Sequence, residues 1–142
     1  MIVIRPDVGE RAVLEEAELH PDHGVVGDSW RARGSGRTVD GAAHPDMQLN
    51  IMNSRVIALV AGTEDRWPLA GDQIYVDLDL SKKNLPAGTK LQLGSAVIEV
   101  TSIPHTGCKK FVERFGLDAM KFVNSGLGKK LCLRGINARV IK

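Results

Sequence analysis

Between Ile103 and Ser125 (IPHTGCKKFVERFGLDAMKFVNS) the chain changes its hydrophobic period, and whatever fold it adopts must accommodate that change. A β-like run ends at Pro104. From Lys109 onward Phe111, Val112 and Phe115 fall on one helical face, and Gly116 breaks the pattern. Asp118 then opens a second amphipathic stretch whose buried residues are Ala119, Phe122 and Val123, and Asn124-Ser125-Gly126 ends it. Two short helices must therefore follow directly on a strand, with the three phenylalanines packing them onto a sheet.

The rest of the chain supplies that sheet. Gly94-Ser95 separates two strand-like runs, Lys90 to Leu93 and Ala96 to Ile103, as a hairpin turn does. Ile74, Val76, Leu78 and Leu80 alternate with Gln73, Tyr75, Asp77 and Asp79, the two-residue period of a strand with one buried face. Final strands are expected at Lys130 to Arg134 and Ile136 to Ile141, joined at Gly135, and a first strand at Ile2 to Ile4. Met47 to Ile51 predicts a strand that runs into a helix capped by Asn53 or Ser54 and ended by Gly62. Glu10 to His20 has helix-forming composition, and Pro21 to Pro45 is a glycine-punctuated loop. At 142 residues this is one domain. Many short strands with few helices predict a mostly β fold, and protection of sheet edges favours a closed barrel.

Chemistry concentrates around Cys108. A thiol where strand gives way to helix, with Lys109 and Lys110 behind it, has the surroundings that lower a cysteine pKa. His105 is a base or hydrogen-bond donor three residues upstream, and Gly107 leaves room for an approaching ligand. The competing interpretation is a small apolar side chain buried in the core. Arg31, Arg33 and Arg37 lie in the long loop beside Asp28 and Trp30, either as a clamp for an anion or as a solvated surface. Gln48 and Asn50 are ligand-facing or simply outward polar positions of a strand. Cys132 reads as structural. A zinc site from His105, Cys108 and either Cys132 or His44 lacks a diagnostic spacing. A net charge of +2 suits a small anion better than nucleic acid, and the aromatics are not interleaved with basic residues. No apolar run is long enough to span a bilayer, no signal peptide is apparent, and two cysteines fit a reduced cytoplasmic setting.

Four ordered blocks add a resemblance: HGVVGDSW (His23 to Trp30), MQLNIMNSRVIALVAG (Met47 to Gly62), NLPAGTKLQLGSAVIEVTSIPHTGCKKF (Asn84 to Phe111) and LCLRGINARVI (Leu131 to Ile141). In these the chain resembles the MOSC domain family, named for the C-terminal domain of molybdenum cofactor sulfurases, in its small stand-alone bacterial form. The resemblance implies a single MOSC-like domain over 1–142 with a closed β-barrel core, lacking a last C-terminal strand. It also implies binding of the molybdenum cofactor (molybdopterin), with Cys108 as metal ligand or persulfide carrier and His105 beside it. Arg31, Arg33, Arg134 and Asn50 would contact the cofactor, and Lys109 would tune the thiolate. The implied activity is reduction of N-hydroxylated compounds or sulfur transfer, dependent on a separate electron-donor protein or cysteine desulfurase. The alternative is a non-catalytic module for a pterin or another phosphorylated small molecule.

Overall fold

A computed structural model describes all 142 residues. Nine strands form: β1 (Ile2–Ile4), β2 (Ala12–Leu14), β3 (Leu19–His20), β4 (Gly24–Val25), β5 (Leu49–Asn53), β6 (Ile74–Val76), β7 (Lys90–Leu93), β8 (Ala96–Pro104) and β9 (Ile136–Val140). Five helices accompany them: α1 (Trp30–Arg33), α2 (Ser54–Ala61), α3 (Lys109–Phe115), α4 (Leu117–Asn124) and α5 (Gly126–Lys130). Two 3-10 segments, Pro45–Met47 and Glu64–Ala70, complete the set.

The closed, mostly β barrel is not what forms. Seven strands lie in one open sheet, ordered β2-β1-β6-β5-β9-β8-β7, with β3 and β4 in a separate two-stranded sheet. The fold is mixed α/β. Its centre explains why: β5 and β6 pair in parallel, so the chain must cross over between them, and α2 with the Glu64–Ala70 segment makes that crossing. Helices on a sheet face provide the cover that closure would otherwise supply.

Strand alternation divides the interior in two. On β5, Leu49 and Ile51 point into a core with Ile74, Ile98, Val100, Ile136, Ala138 and Val140, while Met52 points into another. That second core holds Val3, Tyr75, Ile57 and Ala61 of α2, Phe111 of α3 and Val123 of α4. The helix α2 starts as expected: the Asn53 side chain accepts from the Arg55 and Val56 amides.

Three other expectations fail for local reasons. Glu10 to His20 is not helical; Ala12–Leu14 pairs with β1 as an edge strand. The strand from Ile74 stops at Val76, because Asp77 turns to the surface to meet Arg55 and the Leu78 and Asp79 carbonyls are taken by Asn53 and Asn84. Lys130 to Arg134 is no strand either: α5 runs into a turn in which Cys132 alone among non-glycine residues has positive φ, at 50°. No helix is long and apolar enough to cross a membrane.

Candidate functional site

One short segment, Pro68 to Asp72, gathers most of the functional chemistry. It closes the 3-10 segment, turns at Gly71 with φ 86°, and leads into β6. Helical ends leave carbonyls without partners. Four arginines from distant parts of the chain take them: Arg11 binds the Pro68 carbonyl at 3.1 Å and Arg114 that of Leu69 at 2.7 Å. Arg134 binds the Ala70 carbonyl at 2.9 Å and Arg5 that of Gly71 at 2.9 Å.

Two of the four are also neutralised. Arg5 forks onto Asp28 through Nε at 2.9 Å and Nη2 at 2.8 Å, and the Trp30 amide adds a bond to the same carboxylate. Arg134, only 5% exposed, reaches Asp72 Oδ2 at 2.6 Å and stacks over the Phe111 ring at 4.9 Å. Arg11 and Arg114 have no carboxylate. Their guanidinium nitrogens lie 3.7 and 3.6 Å from where a Cβ on Gly71 would sit, so two unneutralised cations meet there. Burial and then the charges of Arg114 and Arg5 hold the Arg11 pKa down. Gathered positive charge of this kind attracts an anion.

Asp72 is fully buried and binds His105 Nε2 at 2.7 Å with its other oxygen. Burial alone would raise its pKa, but Arg134 and His105 outweigh that and leave it lowered. His105 is lowered in turn, by burial and then by Arg134, against the pull of Asp72. The carboxylate is already matched by Arg134, so a second buried cation is disfavoured. His105 is thus a neutral imidazole that donates from Nε2 to Asp72, leaving Nδ1 as an acceptor. Gly135 permits this placement: its φ of 123° suits glycine, and a Cβ there would strike the Ile51 carbonyl and the His105 ring.

The sequence-derived residues scatter around this centre. Cys108 is exposed, immediately before α3. Lys109 is exposed and lies 4.0 Å from Glu113. Arg31 faces away, near His23 Nδ1 at 3.1 Å and the Asp22 carbonyl at 3.4 Å. Arg33 is exposed, makes no ion pair, and is close enough to Arg5 and Arg11 to feel their charge. Asn50 is bonded to Asn137 Oδ1 at 2.7 Å across β5 and β9. Gly107 does not open space for a ligand; it is pinned to α4 by a reciprocal pair of bonds with Asn124, and a Cβ would meet Met120 Sδ. No three His, Cys, Asp or Glu side chains cluster so as to hold a metal, so the zinc grouping does not assemble. Sequence reasoning passed over Asp72, Arg5, Arg11 and Arg114.

No family model and no curated protein matches the chain. Among solved structures it is similar to one described as "Crystal structure of an hypothetical protein", with a TM-score of 0.62 and 20% identity. The likeness covers 99% of this chain and 59% of that one, and at this identity it speaks to the fold alone.

Proposed function

We propose that the chain binds an elongated phosphorylated cofactor, with the phosphate at Arg11 and Arg114 and the reactive end at Cys108. The molybdenum cofactor of MOSC-type proteins is the candidate. One observation carries this: the two arginines without carboxylate partners meet at Gly71, beside the end of the helix that starts at the exposed cysteine. Six residues separate Cys108 from Arg114, about 9 Å of helical rise. A pterin with a phosphate tail has ends separated on this scale. The proposal leans on the four sequence blocks and on this charge placement; the open sheet lends it nothing.

The donor set fits such a group better than it fits a bare ion. With no cluster of three ligating side chains, a metal bound by protein alone is poorly supported. A metal that arrives already held by a dithiolene asks for one further soft ligand, and a thiolate is one. The cofactor, when bound, supplies molybdenum redox or sulfur chemistry. The chain's own part is to hold it: Cys108 at one end, Arg11, Arg114 and the exposed Arg33 as charge-assisted donors at the other. His105 offers a neutral Nδ1 able to accept a hydrogen bond. Reduction of an N-hydroxylated compound would need an electron-donor protein, and persulfide transfer a separate cysteine desulfurase.

Metal analysis of protein expressed in a molybdenum-replete host tests the proposal. The expected result is about one molybdenum per chain, lost on Cys108→Ala and reduced on Arg11→Ala combined with Arg114→Ala. A wild-type protein without molybdenum, or a Cys108→Ala protein that keeps it, overturns the cofactor assignment. Phosphorylated-ligand binding that depends on the arginines but is indifferent to Cys108 would favour the non-catalytic module.

A further inference from the structure

Two cavities meet at Cys132, and one of them reaches Arg134 of the arginine cluster. The first, about 340 Å³, lies between the loop at Lys82 to Ala87 and the bulged end of β8; the second, about 310 Å³, lies against α5. They share Lys82, Pro104, His105, Cys132 and Gly135, so they adjoin one another. Each alone is at the lower end of the size of small-molecule sites. Cys108 lines neither.

The two ends differ in chemistry. Leu85, Val100 and Ile136 give the first cavity an apolar wall. Lys82, Lys129 and Arg134 surround the second, and no Asp or Glu lines either. Arg134 is 5% exposed, and while its terminal nitrogens bind Asp72 and Ala70, its Nε–H is buried with no acceptor. That donor is sealed from the cavity, so the cations a ligand can reach at this end are Lys82 and Lys129. With His105 neutral, the Asp72–Arg134 pair sums to zero. The two lysines then leave the polar end net positive.

We propose that these adjoining cavities together bind a small amphipathic monocarboxylate, its chain along Leu85, Val100 and Ile136 and its carboxylate between Lys82 and Lys129. A monoanion is favoured because the lining is largely apolar and offers two flexible cations at the rim. The inference is independent of the cofactor proposal, since it uses neither Cys108 nor Arg11 and Arg114.

The two cysteines serve as internal reporters, with octanoate as the probe. Iodoacetamide labelling of the full chain, read for each cysteine by peptide mass spectrometry, should show saturating octanoate slowing Cys132 at least tenfold while Cys108 is unchanged. Octanol and acetate at the same concentration should protect less than twofold. The exposed-lysine variant Lys82→Ala/Lys129→Ala should bind octanoate at least tenfold more weakly by calorimetry. Unchanged Cys132 labelling, equal slowing of both cysteines, or protection by octanol matching that by octanoate overturns the proposal. So does calorimetric affinity indifferent to the lysines. None of these outcomes bears on the molybdenum content, so the two proposals fail separately.

Discussion

Asp72 joins Arg134 and His105 through a single buried carboxylate, Arg134 lies against Phe111 and Met52, and the consequences of changing Asp72 follow from which charge is left behind. Asp72→Asn leaves the Arg134 guanidinium buried without its counter-ion, which costs about 3–5 kcal/mol. Adding Arg134→Met removes the stranded charge and should recover part of that loss, measurable as a denaturant midpoint that moves back toward wild type. His105 gives a separate pH signature. Its folded pKa lies below 6.5, so the unfolded chain takes up a proton that the native protein refuses. More protons are then bound unfolded than folded, and stability falls as pH drops through about 6.5, by up to roughly 1.4 kcal/mol per pH unit. Asp72 is lowered as well, so its contribution is present above 3.8 and is lost in more acidic solution. Denaturant titrations from pH 8 to 5 should show the first decline in wild type and a flatter profile in His105→Gln. A profile unaltered by that substitution would place the proton elsewhere.

At the scale of elements, the segment from His105 to Cys108 is held at both ends. His105 is anchored by Asp72, and Gly107 is tied to α4 by Asn124 at 2.9 and 3.2 Å. Asn124→Ala removes both of the latter bonds, at about 0.5–1.5 kcal/mol each. Amide exchange should accelerate at Gly107 and Cys108 while β8 stays protected. In wild type, iodoacetamide at neutral pH should modify exposed Cys108 at least tenfold faster than Cys132, whose thiol is half-buried and raised in pKa by that burial. What the sequence revealed follows this same division between local and distant. The β7–β8 hairpin at Gly94-Ser95, the Asn53 cap of α2, and the α3–α4 pair are set by neighbours a few residues apart, and all three form, though Phe122 of α4, expected in the core, is 41% exposed. Cys132 at positive φ carries no glycine to announce its turn, so residues 130–134 read as a strand. The arginines around Pro68 to Gly71 come from positions 5, 11, 114 and 134, and no local pattern relates them. Cys108 was legible as a reachable thiol with Lys109 and Lys110 beside it; the arginines near the far end of its helix were not.

Across the whole molecule, the open sheet has a core on each face, and the central strand belongs to both. Leu49 and Ile51 on β5 fill one core, Met52 fills the other, and β5 also carries the parallel pairing to β6 and the antiparallel pairing to β9. Neither core can open without releasing the strand that the other requires. A chain of this size should therefore unfold in one cooperative step despite its divided interior. Leu49→Ala and Met52→Ala, on opposite faces, should each cost about 2–5 kcal/mol. Both should lower the same single transition. The two tryptophans allow a direct check, because Trp30 packs by Gly24 and Gln48 next to Val25 of one core and Trp67 packs against the other. Trp67→Phe is also gentle, since it deletes an indole N–H that is buried without a partner. Fluorescence of Trp67→Phe and of Trp30→Phe reports one face each, and their midpoints in denaturant should agree with the far-ultraviolet signal of the same variant. Midpoints that separate by face would show two independently unfolding halves, and β5 would then not be the element that holds the two cores together.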